Sequence, residues 1–158
     1  MIYAEERRDL FSLGSEYILV HCISADFALG AGIAKVFRDK YGVRGQLLRD
    51  YRVNVWDGNG ECLFTTNNTA QDGTGYRLVA NLVTKEKYYH KPTYETVKQS
   101  LKNMKKMLQG SNTFYKPPHK IGMPLIGCGL DGLQWERVSA IVKEVFNDTD
   151  FEILVCRI

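Results

Sequence analysis

Apolar residues along the chain alternate between short β-branched runs and longer stretches with helical spacing. The run Tyr17–Ile23 is mostly apolar and β-branched, which is typical of a buried strand. Ile33–Tyr41 instead places its apolar residues on one helical face and is followed by Gly42, a common helix stop. Because strand-like and helix-like segments interleave, the pattern predicts an α/β protein with three layers, α/β/α, around a mixed central sheet.

The other elements are predicted from the same two periodicities. Strands are predicted at Ile2–Glu6, Tyr17–Ile23, Arg52–Asp57, Glu61–Thr65, Tyr76–Val83, Lys120–Pro124 and Phe151–Ile158. Helices are predicted at Ile33–Tyr41, Arg44–Tyr51, Pro92–Gly110 and around Trp135–Phe146. The tetrapeptide Asp57–Gly60 is a strong hairpin signal, and the polar segment Asn67–Gly75 predicts a loop.

Length and composition narrow the class of protein. A chain of 158 residues without a linker-like segment fits one domain over residues 1–158. No apolar run approaches the ~20 residues of a membrane span, and the charged stretch Met1–Leu10 does not resemble a secretory signal. We therefore expect an intracellular, cytoplasmic protein without a membrane partner, or a nuclear one in a eukaryote.

Charge and cysteine usage exclude two further classes of site. The net charge of +3, from 21 Lys+Arg against 18 Asp+Glu, is too small for a nucleic-acid stripe but does not repel an anionic ligand. The cysteines at 22, 62, 128 and 156 form no CxxC pair, and with the three histidines they show no zinc-ligand spacing. We expect free thiols, no metal and no cofactor.

Two glycine-rich loops each follow a predicted strand and precede a predicted helix. They are Gly30–Gly32 and the loop of Gly127, Gly129 and Gly132. Glycine lets the backbone approach a ligand closely, and the helix N-terminus behind it favours a phosphate. The pair indicates a diphosphate bound from both sides, with ordinary turns as the alternative on pattern alone.

Two common phosphate motifs do not fit these loops. A Rossmann loop places its glycines directly after the strand, whereas Ser24–Leu29 intervene here. No GK[ST] sequence is present, which excludes a Walker A loop.

Six motifs in one order resemble the macro domain family, and more narrowly its terminal ADP-ribose protein glycohydrolase branch. They are Asp9–Phe11, His21–Ser24, Gly30–Ala34, Thr84-Lys85, His90–Glu95 and Pro124–Trp135. The segment Arg49–Arg77 matches least. Arg8 stands where the family often has glycine. Gly132 stands where the family often has a bulkier basic residue, a difference expected to spare the chemistry and to alter contacts at the rim of the cleft.

The resemblance implies an ADP-ribose site. Asp9 would bind the adenine amino group beside the Leu10 backbone, Ser24 would line the ribose or phosphate side, and Ile158 would pack near the adenine. Each of these residues also has a purely structural alternative. Asp9 would then be a solvated acid, Ser24 a hydroxyl in a turn, and Ile158 the end of a buried strand. The full set of ligand residues implied is Asp9, Leu10, Ser24, Gly30, Gly32, Ile33, Leu125, Ile126, Gly127, Cys128, Gly129, Leu130 and Ile158.

The resemblance also implies that Lys85 and Asp131 are catalytic. The lysine would attack the anomeric carbon of the distal ribose, and the aspartate would act as acid and base to release the sugar. By pattern alone, Lys85 is one of many lysines. Cys128 is an alternative nucleophile, although a small buried thiol is the commoner role, and His21, His90 and His119 are alternative bases.

The activity implied is hydrolysis of ADP-ribose from modified Glu and Asp side chains of proteins, through a lysyl–ADP-ribose intermediate. A non-catalytic ADP-ribose reader would share the pocket. A third hypothesis is hydrolysis of ADP-ribosylated DNA or of phosphate or acyl esters of ADP-ribose. The expected partners are ADP-ribose and ADP-ribosylated proteins, with ADP-ribosylated nucleic acid as the alternative, and the chain is expected to be a monomer.

Overall fold

The computed structural model describes residues 1–70, 75–110 and 119–157. The strands are β1 (Ile2–Arg7), β2 (Tyr17–Ser24), β3 (Glu61–Ala70), β4 (Gly75–Lys85), β5 (Lys120–Met123) and β6 (Glu152–Arg157). The helices are α1 (Gly32–Tyr41), α2 (Val43–Asp50), α3 (Tyr94–Gln109) and α4 (Trp135–Phe146). Short 3-10 turns lie at Leu10–Ser12 and Gly129–Asp131.

All six strands form one sheet in the order β1-β6-β5-β2-β4-β3. Every neighbouring pair is parallel except β3 and β4, which are antiparallel, so the predicted mixed sheet is confirmed. The carboxyl ends of parallel strands meet at one edge of a sheet. The loops after β1, β2, β4 and β5 therefore converge at this edge, which we call the carboxyl edge, and they carry most of the predicted site residues.

Period-2 alternation along β2 divides its side chains between two cores. Ile18 and Val20 pack with apolar residues of α3 and α4, whereas Leu19 and Ile23 pack with those of α1 and α2. The predicted apolar face of α3 is fully buried, at Val97, Leu101, Met104 and Leu108. Helices thus cover both faces of the sheet, and the predicted three-layer architecture is confirmed.

The predicted hairpin at Asp57–Gly60 is wrong. Residues 52–57 form no strand, and the antiparallel partner of β3 is β4. Gly60 instead packs against α3, where a Cβ would collide with the backbone of Thr96 and Ser100, and its carbonyl accepts a hydrogen bond from Asn103 Nδ2 at 2.7 Å. The glycine is needed for close packing and not for a turn.

The loop predicted at Asn67–Gly75 is also largely wrong, because β3 continues to Ala70 and β4 begins at Gly75. Residues 71–74 of that prediction lie outside the described part of the chain. All four cysteines are free thiols, as expected. Within the described ranges, no helix is long and apolar enough to cross a membrane.

Candidate active site

Lys85 and Asp131 meet at the carboxyl edge although 46 residues separate them in the chain. Lys85 is the last residue of β4, and Asp131 ends the 3-10 turn that follows β5. Lys85 Nζ lies 2.7 Å from Asp131 Oδ1, and the two side chains are 15% and 17% exposed. A carboxylate at this distance can accept a proton from the ammonium, and the small remaining exposure leaves the pair open to a ligand.

A β-bulge shapes the end of the strand that carries Lys85. Ile23 of β2 pairs with Val83, but the next residue, Ser24, pairs with Lys85, so the register shifts at this point. The Ala25 N–H then donates to the Lys85 carbonyl at 2.9 Å. Bulges re-aim side chains at the ends of strands, and this one fixes the backbone of Lys85 beside the loop that follows β2.

The second glycine-rich loop presents backbone N–H groups at the same edge. Gly127 and Gly129 have φ values of +72° and +67°, in the left-handed region that side chains disfavour. No side chain caps the 3-10 turn at Gly129. The first N–H groups of this turn are therefore left without a side-chain acceptor. Such a concave set of N–H groups is suited to an anion.

The first glycine-rich loop lies opposite the second. Helix α1 begins after Ala31 with no side-chain cap, so its first N–H groups are available to a ligand. A Cβ on Gly32 would lie 3.4 Å from the Leu130 side chain, so the two loops approach each other closely at this point. Phe27 and Leu29 adopt positive φ values of 53° and 45°, which is strained backbone of the kind found at binding sites.

Asp26 connects the first loop to the loop after Lys85, and the sequence analysis did not identify it. Its Oδ1 accepts the Ser24 hydroxyl at 2.6 Å and the Ala28 N–H at 3.1 Å, and its Oδ2 accepts the Tyr88 N–H at 2.9 Å. Burial alone would raise the pKa of Asp26, but these hydrogen bonds and nearby Lys87 outweigh it and lower the pKa. Ser24 is 4% exposed, and its hydroxyl is directed to Asp26.

The predicted adenine-binding residues lie at the far end of the carboxyl edge. Asp9 follows β1, whose Arg7 pairs with Arg157 at the end of β6. The Asp9 side chain is exposed, and its Oδ1 accepts the Phe11 N–H at 2.9 Å. Leu10 is only 1% exposed. The predicted contact of Ile158 lies outside the described residues.

The alternative catalytic residues are less well placed. His21 is fully buried in the sheet, and burial lowers its pKa to about 4, against a smaller opposing effect of its hydrogen bond to Asn81. Burial and the nearby Asp131 carboxylate raise the pKa of the Cys128 thiol, which opposes a thiolate nucleophile. His119 directly precedes β5 and so lies at the amino end of that strand, away from the carboxyl edge. His90 is exposed and lies in the loop after Lys85.

A pocket of about 310 Å³ opens beside Lys85 and was not predicted from the sequence. It is lined by Trp56, Gly58, Thr84, Lys85, Glu86, His90, Lys91, Thr93 and Thr96. A larger groove of about 540 Å³ lies between α3 and α4 and includes none of the predicted site residues. Of these two spaces, the pocket that contains Lys85 is the one relevant to chemistry at the carboxyl edge.

Comparison with known proteins gives relatives over nearly the whole chain. No family model matches it. The chain is 42% identical to the ADP-ribose glycohydrolase OARD1 of Bos taurus and 41% identical to that of Homo sapiens, over 147 residues. These alignments cover 93% of this chain and 86% of each relative.

Two solved structures illustrate the likeness of the fold. The macrodomain of Mycobacterium tuberculosis DarG superposes with a TM-score of 0.75 at 20% identity, and that of Thermus aquaticus DarG with 0.72 at 22%. Both comparisons cover 98% of this chain and 97% of the other. At these identities they show a shared fold.

Proposed function

Because this chain belongs to the macro domain family of ADP-ribose glycohydrolases, we propose that it hydrolyses ADP-ribose from modified Glu and Asp side chains of proteins through a lysyl intermediate. The observation that carries the proposal is the 2.7 Å contact between Lys85 and Asp131. A module that only reads ADP-ribose has no need for an amine and a carboxylate in contact beside the ligand loops. A hydrolase needs both a nucleophile and a group that moves its proton.

The binding half of the proposal rests on the two glycine-rich loops. Their available N–H groups would surround the diphosphate, with the helix dipole of α1 adding partial positive charge. The contact between Gly32 and Leu130 would bring the loops together over the phosphates. Asp9 would accept the adenine amino group at the other end of the carboxyl edge.

The proposed reaction has two steps at the distal ribose. Lys85 Nζ, after giving a proton to Asp131, forms a bond to the anomeric carbon, and the bond from that carbon to the carboxylate oxygen breaks with its electron pair. The modified Glu or Asp side chain leaves as a carboxylate. Water then adds to the anomeric carbon, Asp131 transfers the protons, and the carbon–nitrogen bond to Lys85 breaks to release ADP-ribose.

Release of labelled ADP-ribose from an automodified ADP-ribosyltransferase tests this activity. We expect steady release by the parent protein and loss of release in Lys85→Ala. ADP-ribose affinity, measured by calorimetry, should stay close to that of the parent, because the role of the lysine is covalent. Lys102→Ala is the matched control, since Lys102 is an exposed lysine on α3.

Two outcomes would contradict the proposal in different ways. A folded parent protein that binds ADP-ribose but releases no label would be a reader. A Lys85→Ala protein that releases label at the parent rate would exclude the lysine mechanism while leaving hydrolysis intact.

A further inference from the structure

We propose that the pocket beside Lys85, named here the acceptor pocket, receives the glutamyl or aspartyl side chain from which ADP-ribose is removed. This inference rests on the hydrolase function proposed above. Of the nine residues that line this pocket, only Lys85 belongs to the predicted site.

The position of Lys85 gives the first argument. Lys85 lines the acceptor pocket and contacts Asp131 of the second glycine-rich loop, yet no residue of either glycine-rich loop lines the pocket. Lys85 is thus shared between the two spaces. If ADP-ribose fills the cleft between the loops, with its anomeric carbon at Lys85, the group attached to that carbon must extend into the remaining open space. The acceptor pocket, which Lys85 also lines, is such a space.

The charges around the pocket suit a carboxylate leaving group. Lys85 and Lys91 line the pocket with Glu86 as the one acid of the lining, and the N-terminus of the 16-residue α3 adds partial positive charge at Thr93. Lys91 Nζ donates to the neutral Leu130 carbonyl and has no ion pair within the described ranges, so two of its three N–H groups remain for a ligand. A carboxylate formed in the pocket would be stabilised by these groups.

Trp56 forms a wall of the pocket and is held in place before any ligand binds. Gly60, four residues later, packs on α3 through contacts that leave no room for a side chain. The Asn54 N–H donates to the Ala25 carbonyl at 2.8 Å, and Lys87 Nζ donates to Asn54 Oδ1 at 3.0 Å. The segment is therefore fixed on both sides of Trp56.

This wall belongs to Arg49–Arg77, the segment that resembles the family least. A wall of this kind contacts the group that leaves and not the ADP-ribose itself. We therefore infer that Trp56 is a specificity-determining residue for the polypeptide carrying the modification.

Steady-state kinetics on a peptide carrying ADP-ribose on one glutamate tests the assignment. We expect Trp56→Ala to raise KM for this peptide about tenfold, a change of roughly 1.4 kcal/mol, while the Kd for free ADP-ribose changes less than about twofold. Val55→Ala is the matched control, because Val55 is the neighbouring residue, is 57% exposed and does not line the pocket. It should behave as the parent.

A second variant covers the case in which Trp56→Ala does not fold. Lys91→Gln removes one positive charge from the lining and should also raise KM for the peptide without changing ADP-ribose affinity. Unchanged peptide kinetics in the folded variants would overturn the acceptor pocket, and so would equal losses of peptide and ADP-ribose affinity.

A parallel substrate, ADP-ribosylated on a base of single-stranded DNA, separates the two classes of acceptor. If Trp56→Ala impairs release from the oligonucleotide and not from the peptide, the pocket binds a nucleobase and the inference is wrong. If the parent protein releases nothing from the peptide, the proposed hydrolysis itself fails. If the parent protein is active and the variants have the same kinetics as the parent, only the acceptor pocket fails.

Discussion

The carboxylate of Asp26 accepts the backbone N–H of Tyr88 at 2.9 Å and so ties the loop after β2 to the loop after Lys85. The same carboxylate binds the Ser24 hydroxyl and the Ala28 N–H. One acid thus positions both the strained stretch that leads to Gly30 and the segment that follows the proposed nucleophile. Asp26 is therefore a positioning residue for the first glycine-rich loop and for the segment after Lys85.

We predict that Asp26→Asn weakens ADP-ribose binding about tenfold and lowers kcat for release as well. The amide offers one acceptor oxygen where the carboxylate offers two, and a hydrogen bond to a charged group contributes about 1.5–3 kcal/mol. Calorimetry and label release measure the two effects, and hydrogen exchange at the Tyr88 N–H should become faster.

Asp57→Asn is the control for Asp26→Asn. Asp57 is an exposed acid whose Oδ1 accepts the Asn59 N–H at 2.9 Å within its own turn. The Asp57→Asn substitution should leave the affinity for ADP-ribose and kcat unchanged. Parent-level affinity together with parent-level protection of the Tyr88 N–H in Asp26→Asn would show that Asp26 does not position the loops.

Gly129→Val should abolish ADP-ribose binding in a folded protein. A Cβ at Gly129 would meet no atom within 4 Å, so the added side chain would occupy the open space where we place the phosphates. The φ of +67° makes the substitution strained, but no core packing is lost. Calorimetry with ADP-ribose, beside circular dichroism for the fold, measures both parts.

Gly132→Val separates backbone strain from occupation of the site. Gly132 has a similar φ of +79° and equally open surroundings, but it follows the 3-10 turn as its C-cap and is outside the implied ligand set. We expect the Gly132→Val variant to retain ADP-ribose binding. Equal loss in both variants would mean that strain, and not a blocked phosphate site, explains the result at Gly129.

His21 should make the protein less stable as the pH falls. Burial lowers its pKa from about 6.5 to about 4, so the folded protein keeps the ring neutral in a range where the unfolded chain takes up a proton. The contribution of the neutral His21 ring to the free energy of unfolding is therefore fully present above pH 6.5. Roughly 3 kcal/mol of it is lost between pH 6.5 and 4.

Denaturant unfolding at several pH values tests the role of His21. His21→Gln should flatten the dependence of the free energy of unfolding on pH between 6.5 and 4, whatever its effect at neutral pH. His119→Gln is the control, because that side chain is 60% exposed. An unchanged pH dependence in His21→Gln would show that the buried ring titrates normally.

Helices and buried strands were predictable because each shows its own period in the sequence. Helix α1 and strand β2 were predicted to within one residue at each end, since apolar spacing and Gly42 define them locally. The prediction of a hairpin at Asp57–Gly60 was wrong because the dipeptide Asn59-Gly60 is compatible both with a hairpin turn and with a close packing contact. The backbone of α3 decides between them, and it lies about forty residues away in the chain.

The site was predictable only in part for the same reason. The glycine-rich loops carry a local signal, whereas the contact of Lys85 with Asp131 depends on the order of strands in the sheet, and the family resemblance alone pointed to it. Asp26 had a weak signal, an acid two residues after Ser24 that could close a turn. Its contact with Tyr88 and the acceptor pocket are long-range and had no sequence signal.

The intact mass of Asp131→Ala during turnover tests the lysyl intermediate most directly. Attack by Lys85 can still occur in this variant, but release lacks its acid and base. We predict that the protein gains the mass of one ADP-ribosyl group, that digestion places it on Lys85, and that Lys85→Ala/Asp131→Ala gains nothing. An ADP-ribosylated glutamate substrate consumed by Asp131→Ala without a mass gain on Lys85, or with the gain on another residue, would contradict the account.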